Sequence, residues 1–356
     1  MPSGRSRTTI KVTEPKYLFT NNQICEKVPA TLSENEQHGV RVTDPRAAVL
    51  CVGAITLDTI VRVDRVPDDD ERVVADQTLT GCGGPAAVAA VALARLGVKV
   101  SFAATVGTDN AGDAVLQRLD AEGVNVDLVK RSHTQTTAVS VIILERHSAG
   151  RRIITSHQPS PPELAHETYD EFSWVHVDQT GWPEVRPHIS RPRRGGWLLS
   201  VDAGNPIEGL DLADVDLFVP TMTALRASYG ALDDTALLRA ATEQGARVVV
   251  ATDGARGAYV TGSLDESGGS TALRHVPAYR IRPVSTLGAG DVFHGGLLAG
   301  LVQSRGLDDA VRVAHAAAAL SCRALDAQSG IPGLREVEQL MTASVGETQK
   351  TKEIHE

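Results

Sequence analysis

The stretch Val284-Ser285-Thr286-Leu287-Gly288-Ala289-Gly290-Asp291 decides how this part of the chain folds and where its chemistry lies. The pattern of residues 291–303 predicts a helix that begins directly after the glycines. Small residues at 288–290 let the backbone approach a ligand, and the free N–H groups of a helix start favour an anion. Such a site suits a phosphoryl group, and Asp291 beside it could accept the proton of an attacking hydroxyl. The alternative is a plain glycine-rich turn in which Asp291 caps the helix.

Two more segments fit the same chemistry. Val248–Thr252 reads as a strand that ends in Thr252-Asp253-Gly254-Ala255-Arg256-Gly257, and strand ends facing a glycine-rich loop bind ligands in open α/β sheets. The alternative is an ordinary Asp-Gly hairpin turn. Further on, His315 precedes the small residues Ala316–Ala319, so this helix could press on a flat ring with His315 at its edge. The alternative is a tightly packed core helix with a satisfied histidine.

A second glycine-rich segment, Gly81-Cys82-Gly83-Gly84-Pro85-Ala86, opens an alanine-rich helix predicted over 85–96. It can be read as the dinucleotide fingerprint G-x-G-x-x-A, although that motif should follow the first strand directly and here an alternating β region intervenes. The other interpretation is a backbone clasp for substrate hydroxyls. The chain has no Gly-Lys pair and hence no Walker A motif, and we find no H-E-x-x-H or other metal-ligand cluster.

Strand and helix patterns alternate through most of the chain, which predicts an α/β fold with a mostly parallel sheet covered on both faces. Three stretches do not fit that layer, because apolar and polar residues alternate in them as in a half-exposed sheet. They are Thr59–Val66, Arg72–Leu79 and the hairpin formed by Ala138–Leu144 and Arg152–Ser156. We therefore predict a second, smaller sheet that acts as a lid.

Composition narrows the possible partners. The 356 residues carry a formal net charge of -9, which argues against nucleic acid as the main partner. No apolar stretch reaches the roughly 20 residues of a membrane helix, so no membrane partner is expected. Cys51 and Cys322 lie in apolar runs and should be buried thiols, which suits the cytoplasm. Residues 1–45 are interpreted as a disordered leader and residues 344–356 as a flexible tail, leaving 46–343 as the folded domain.

From about Ala47 to Leu340 the chain resembles the ribokinase-like (PfkB) carbohydrate kinases. The resemblance rests on four segments in the family's order, at the family's spacing. They are Val52-Gly53-Ala54-Ile55-Thr56-Leu57-Asp58, Gly83-Gly84 followed by Ala92-Leu93-Ala94-Arg95-Leu96-Gly97, Thr105-Val106-Gly107-Thr108-Asp109-Asn110-Ala111-Gly112, and Gly288-Ala289-Gly290-Asp291-Val292-Phe293.

The resemblance implies a three-layer α/β/α sandwich with a β lid formed from about 58–80 and 137–158, which in this family often mediates homodimers. It implies an ATP-dependent kinase that uses Mg²⁺ and acts on a sugar or sugar-derivative hydroxyl, with Asp291 as the general base. The remaining roles it implies are an anion hole at Gly288, Ala289 and Gly290, substrate contacts at Asp58, Gly83, Gly84 and Arg72, and nucleotide contacts at Thr252, Gly254, Arg256, Gly257 and His315.

Several positions depart from the family's usual pattern. The family's N-x-x-E motif, which helps to hold Mg²⁺, reads Thr221-Met222-Thr223-Ala224, and its D-T-T reads Ser285-Thr286-Leu287. Both changes remove a carboxylate, the second from a monovalent-cation site. Within the family, the chain looks most like the sulfofructose kinases at three segments. They are Gly83-Gly84-Pro85-Ala86-Ala87, Asp291-Val292-Phe293-His294-Gly295 and Ser329-Gly330-Ile331-Pro332.

Three hypotheses follow. The first is the sugar kinase just described. The second is a dinucleotide-dependent oxidoreductase built on residues 81–86. The third is a non-catalytic sugar-binding relative, which the missing carboxylate at 224 motivates.

Overall fold

The computed structural model describes residues 48–147, 151–189, 196–264 and 272–353, with backbone only beyond residue 343. The strands are β1 Ala48–Val52, β2 Thr56–Val63, β3 Gln77–Gly83, β4 Lys99–Ala103, β5 Thr105–Gly107, β6 Lys130–Ser132, β7 Val139–Glu145, β8 Arg151–Thr155, β9 Trp174–Val177, β10 Leu198–Ala203, β11 Leu217–Pro220, β12 Val248–Thr252, β13 Ala258–Gly262 and β14 Arg274–Val276. The helices are α1 Pro85–Arg95, α2 Asn110–Ala121, α3 His166–Tyr169, α4 Trp182–Val185, α5 Met222–Tyr229, α6 Asp234–Glu243, α7 Ala289–Val302, α8 Leu307–Ser321 and α9 Leu334–Glu353.

Eight strands form one sheet in the order β14-β13-β12-β11-β10-β9-β1-β4. The strands from β12 to β4 pair in parallel, whereas β13 and β14 are antiparallel additions at one edge. Val49–Val52 is fully buried, as expected of a parallel strand covered on both faces. The predicted mostly parallel sheet is confirmed.

Helices cover both faces of this sheet and give the molecule three layers. One buried apolar cluster joins the sheet to α1, α2, α7, α8 and α9. A second cluster joins the opposite face to α3, α4, α5 and α6. The predicted three-layer α/β/α sandwich is therefore confirmed.

Close packing at glycines fixes helix α7 between α1 and α8. A Cβ atom on Gly295 would lie 2.5 Å from the carbonyl oxygen of Ala89, and one on Gly300 would lie 2.7 Å from the Cβ of Ala310. Such distances leave no room for a side chain at either glycine. Because interiors packed this tightly shift little, the first turn of α7 has a fixed position at the carboxyl ends of the parallel strands.

The four-stranded sheet β3-β2-β7-β8 is built from the stretches in which alternation predicted a lid. Its inner face carries the buried residues Ile60, Ile142 and Leu144, which pack with Leu287 next to the start of α7. Strand β3 ends at Gly83, so the lid leads directly into the glycine-rich start of α1. The lid therefore borders the same space as the starts of α1 and α7.

The predicted strand at Arg72–Leu79 is wrong in its first half, because β3 begins only at Gln77. Residues 64–76 are rich in carboxylates, and some of these pair with arginine rather than with a neighbouring strand. Asp76, for example, accepts hydrogen bonds from Arg62.

At the chain ends, the expected leader 1–45 lies outside the described residues, and so does 354–356 of the expected tail. Helix α9 continues to Glu353, so the tail boundary at residue 344 does not coincide with a helix end. Among the described helices, none is long and apolar enough to cross a membrane. Cys51 and Cys322 are buried free thiols, as predicted.

Candidate active site

The start of helix α7 is shaped to leave its first amides open. Gly288 caps the helix in the left-handed conformation, with φ 74°, and a Cβ there would lie 2.5 Å from that of Ala327. Only glycine suits both conditions. Nothing lies within 4 Å of a Cβ placed on Gly290. The expected anion hole at 288–290 needs a correction, because the amide of Ala289 donates to the carbonyl of Thr286 at 3.3 Å. No acceptor among the described residues takes the amides of Gly290 and Asp291, so these N–H groups and the helix dipole are available to an anion.

Asp291 lies in the first turn of α7, beside those amides. Within the described part of the chain, its carboxylate has no hydrogen-bond or ion-pair partner. Burial, and then the negative charge of Asp202, raise its pKa to about 7, while the positive charges of His294 and Arg151 oppose that rise. A carboxylate with a pKa near neutrality is suited to accept a proton from a hydroxyl.

Beneath Asp291, a buried carboxylate and a buried imidazole form a pair that the sequence reasoning missed. His294 Nε2 lies 3.2 Å from Asp202 Oδ1, and both side chains are less than a tenth exposed. The same carboxylate oxygen accepts the Gly204 amide at 2.9 Å. Burial alone would lower the pKa of His294, but the charge and hydrogen bond of Asp202 raise it. Burial likewise disfavours the Asp202 carboxylate, yet His294 lowers its pKa to about 2.

A second histidine, His176 on β9, packs beside this pair. Its ring centroid lies 5.4 Å from that of His294, and its Nδ1 lies 3.1 Å from Ser200 Oγ. Burial and the neighbouring His294 lower the pKa of His176 to about 3. His176 is therefore neutral at ordinary pH, whereas Asp202 favours the charged form of His294 by raising its pKa.

Asp178, directly after β9, is also missing from the sequence analysis. Its Oδ2 accepts the amides of Ala54 at 2.8 Å and Ala86 at 3.2 Å. Its Oδ1 accepts those of Thr180 at 2.8 Å and Gly181 at 3.0 Å. Asp178 thus ties the loop after β1 to the start of α1 and to the loop before α4. Burial nevertheless raises its pKa to about 6, against the effect of these amides.

This contact contradicts the dinucleotide reading of residues 81–86. Residues 81–83 form the end of β3, which pairs antiparallel with β2 in the lid, so the segment does not follow the first strand of the parallel sheet. The first-turn amide of Ala86, which a pyrophosphate would need, is already occupied by Asp178. The setting that the fingerprint requires is absent from this part of the described chain.

The structure brings Asp58, Gly83 and Gly84 together, and their contact with a substrate stays a prediction. Asp58 is buried and accepts a 2.6 Å hydrogen bond from Thr56. Burial raises the pKa of its carboxyl. A Cβ on Gly83 would overlap the Asp58 carboxylate, and one on Gly84 would overlap the carbonyl of Ala54. Both glycines are required here by close approach.

Arg72 is not brought into this group. It is exposed, lies between β2 and β3, and forms no ion pair among the described residues. Its predicted contact with substrate remains a prediction.

The residues expected to contact a nucleotide lie around one loop at the end of β12. Gly254 and Gly257 have positive φ values of 56° and 105°. Arg256 is bound to Asp253 through two hydrogen bonds of 2.6 Å. Thr252 ends the strand and lies beside Thr221 of the neighbouring segment in a parallel bridge.

His315 approaches this loop from α8. A Cβ on Gly257 would overlap the carbonyl of Val276, and His315 is hydrogen-bonded to the backbone of the same Val276. Burial lowers the pKa of His315 to about 4, and its ring meets that of Phe293 at 5.0 Å. The imidazole is only 6% exposed, so only its edge could reach a bound ring.

A cavity of about 250 Å³ separates the lid from residues 283–287, which precede the start of α7. Its basic lining comes from the lid, and Arg151 at the start of β8 reaches Thr286 at 3.5 Å. The lining residues are Arg62, Leu144, Glu145, Arg146, His147, Arg151, Pro283, Val284, Ser285, Thr286 and Leu287. The sequence analysis did not single out Arg151, because only the folded lid places it near Asp291.

The described residues form no cluster of three or more carboxylate, histidine or cysteine ligands that could hold a metal ion alone. Asp202 is paired with His294 and Asp253 with Arg256, whereas Asp291 is open. Thr221 accepts the amide of Ala224, at the position of the missing carboxylate. This donor set fits Mg²⁺ only as an ion bound largely by phosphates and water, which is a usual way for proteins to hold it.

Comparison with known proteins agrees with this architecture. The family described as "pfkB family carbohydrate kinase" matches residues 46–178 and 208–333, which is well over half of the chain. A ribokinase of Bacillus subtilis is 26% identical over 315 residues, covering 83% of this chain and 99% of the relative. A deoxyribokinase of Salmonella typhi is 26% identical over 308 residues, covering 83% and 98%. The solved structure of Arabidopsis thaliana ribokinase, complexed with ribose and ATP, has a TM-score of 0.69 at 21% identity, covering 82% of this chain and 97% of that one.

Proposed function

Because the chain belongs to the pfkB family of carbohydrate kinases, we propose that it transfers the γ-phosphate of ATP to a hydroxyl of a sugar or sugar derivative. The observation that carries this proposal is the unpaired Asp291 carboxylate beside the two open amides of helix α7. The general base and the anion-binding donors thus share one helix turn. Proton acceptance and charge stabilisation are the two tasks that phosphoryl transfer sets for a protein.

In this mechanism the sugar hydroxyl gives its proton to Asp291 while its oxygen forms a bond to the γ-phosphorus. The bond from that phosphorus to the bridging oxygen of ADP breaks in line. The open amides of Gly290 and Asp291 stabilise the negative charge on the phosphoryl oxygens. The guanidinium of Arg151 adds a positive charge from the lid side.

Two features support the nucleotide side of the proposal. The loop after β12 offers backbone groups at Thr252, Gly254 and Gly257, with the edge of His315 nearby and Arg256 on its exposed side. A solved ribokinase of the same fold was determined with ATP. Magnesium, when bound with the phosphates, would supply further positive charge for the transferred group.

At the other end of the site, Asp58 and the backbone of Gly83 and Gly84 would hold the sugar. A buried carboxylate is an acceptor for substrate hydroxyls, and burial makes such hydrogen bonds strong. Arg72 would join this end only for an anionic substrate such as sulfofructose, which the motif resemblance suggests. The relatives named above act on ribose and deoxyribose.

We also propose that two copies associate through the outer face of the lid. Val141 and Ile154 are opposite each other on β7 and β8 and are 42% and 67% exposed. Exposed β-branched residues on a sheet face are typical of a buried interface. Sedimentation of the protein should give a dimer, and Ile154→Glu should give a monomer. A wild-type monomer at micromolar concentration would contradict this part of the proposal.

The proposal is tested by a coupled assay for ADP release with ATP and a panel of ribose, deoxyribose, ribose 1-phosphate, fructose and sulfofructose. At least one member or close analogue should be phosphorylated, with the product identified by mass spectrometry. A parallel thermal-shift screen with a non-hydrolysable ATP analogue separates binding from turnover. Sugar binding without any transfer, under every condition tried, would favour the non-catalytic relative instead.

A further inference from the structure

The mechanism above leaves a buried charged pair unused. His294 and Asp202 lie directly beneath Asp291, and neither touches the proposed sugar or nucleotide contacts. Burying an imidazolium and a carboxylate is costly unless the pair is well arranged. An apolar pair of the same volume would serve packing equally well. Because the charges lie next to the proposed general base, we looked for an effect of the pair on that residue.

Helix geometry sets the relation between His294 and Asp291. The two residues are three apart in α7, which places them on the same helix face, one turn from each other. His294 is held from the opposite side, because its Nε2 lies 3.2 Å from Oδ1 of Asp202, near the end of β10. Its Nδ1 is buried and has no hydrogen-bond partner among the described residues.

The charges around His294 come from each element packed against it. On α7 the neighbouring charge is Asp291, and on β10 it is Asp202. His176 on β9 contributes a neutral ring. Further charges that act on Asp291 are Asp178 after β9 and Arg151 of the lid. His294 is thus the one positive side chain within this group that is buried in the described core.

We propose that His294 is a positioning residue that acts through Asp291, holding a positive charge one helix turn from the general base while Asp202 fixes the imidazolium in place. The inference rests on the proposed role of Asp291 as the base. Its content is electrostatic. Asp202 and Asp178 repel a second negative charge at Asp291, and the imidazolium offsets that repulsion, so that the carboxylate remains ionised when the sugar hydroxyl arrives.

The coupling between two titrating groups is reciprocal, so it can be measured at His294 without any substrate. In protein labelled at the histidine Cε1, the NMR signal of His294 is assigned by its loss in His294→Asn. Its titration midpoint should move to lower pH in Asp291→Asn, because one negative neighbour is removed. In Asp202→Asn it should move further down, because the direct partner is removed. An unchanged midpoint in Asp291→Asn would overturn the proposal.

The pH dependence of kcat/KM is a second measurement, and it should not change if His294 serves only in packing. In His294→Gln the amide nitrogen can take the place of Nε2 and still donate to Asp202, but the positive charge is gone, so the acid limb of kcat/KM should shift to higher pH. His176→Asn is the matched control and should leave the limb in place, since His176 is already neutral.

The two proposals fail differently. An active enzyme whose acid limb is the same in His294→Gln and wild type would overturn the role of His294 and leave the kinase assignment intact. A wild-type protein that transfers no phosphate would remove the kinase assignment, whereas the NMR coupling would still be measurable.

Discussion

Two carboxylates at the same edge of the sheet have opposite surroundings. Asp178, after β9, accepts four backbone amides, while Asp291, at the start of α7, accepts no hydrogen bond from any described residue. Burial raises the pKa of both. One carboxylate is built into the scaffold and joins three loops, whereas the other is left open to a ligand. The contrast shows that a raised pKa alone does not mark a carboxylate as a candidate base, because the hydrogen bonds of Asp178 hold it in the scaffold while Asp291 is free to meet a ligand.

The largest difference between the two should appear in folding stability. Asp178→Asn turns one acceptor into a donor that faces backbone amides, so at least two buried N–H groups lose their partner. The cost should be about 2–4 kcal/mol of unfolding free energy. Asp291→Asn removes a desolvated carboxylate without breaking a hydrogen bond and should cost no stability. Urea denaturation of the two variants measures this, and equal losses would erase the distinction.

A second matched pair tests the turn that opens α7. Gly288→Ala introduces a Cβ at φ 74° that meets Ala327, and the strain should cost about 2 kcal/mol. Gly290→Ala places its Cβ in open space and should cost less than about 0.5 kcal/mol. Thermal unfolding of both variants would show this difference. Similar melting temperatures would mean that the turn is not held as the structure shows it.

The pH dependence of the two regions should also differ. With a pKa of about 7, the proposed base Asp291 is mostly ionised only above that pH, so kcat/KM should fall about tenfold per pH unit below it. The effect of pH on folding stability has the opposite sign. A carboxyl whose pKa is raised on folding binds more protons when folded, so its contribution is lost as pH rises from about 4 to about 7. Asp291→Asn should remove its part of that decline, and Asp178 should retain its own.

The smallest expected effect concerns the lid. Arg151→Ala should lower kcat about tenfold, since it removes one charge near the transferred group. Arg152→Ala is the matched control, because Arg152 is the next residue on β8 and pairs with Glu145 instead. Neither exposed residue should affect the melting temperature. Equal activities of the two variants would exclude Arg151 from the transfer step.

The sequence was sufficient for the parts of the site that are continuous along the chain. The 288–291 turn, the loop after β12 and the Gly83-Gly84 segment each combine glycines with a neighbouring helix or strand, and the structure has the expected helix or strand beside each of them. The family and the three-layer fold followed from the order of these segments and are confirmed by the comparison.

The residues that were missed depend on segments distant in sequence. Asp178 and Asp202 matter only because β9 and β10 end beside each other and beneath α7. Arg151 matters only because a lid hairpin folds over residue 286. A signal for the first two was present, since each carboxylate comes at the end of an apolar strand, where parallel sheets bind ligands. For Arg151 the sequence offered no comparable signal.

The most direct measurement is the turnover of wild type and Asp291→Asn with ATP and the sugar that the panel identifies, together with calorimetric binding of ATP to both. General-base catalysis contributes about 10²–10⁴-fold, so kcat should fall by that factor in the variant while the affinity for ATP stays the same. A variant that turns over at nearly the wild-type rate would contradict the assignment of Asp291 as the base.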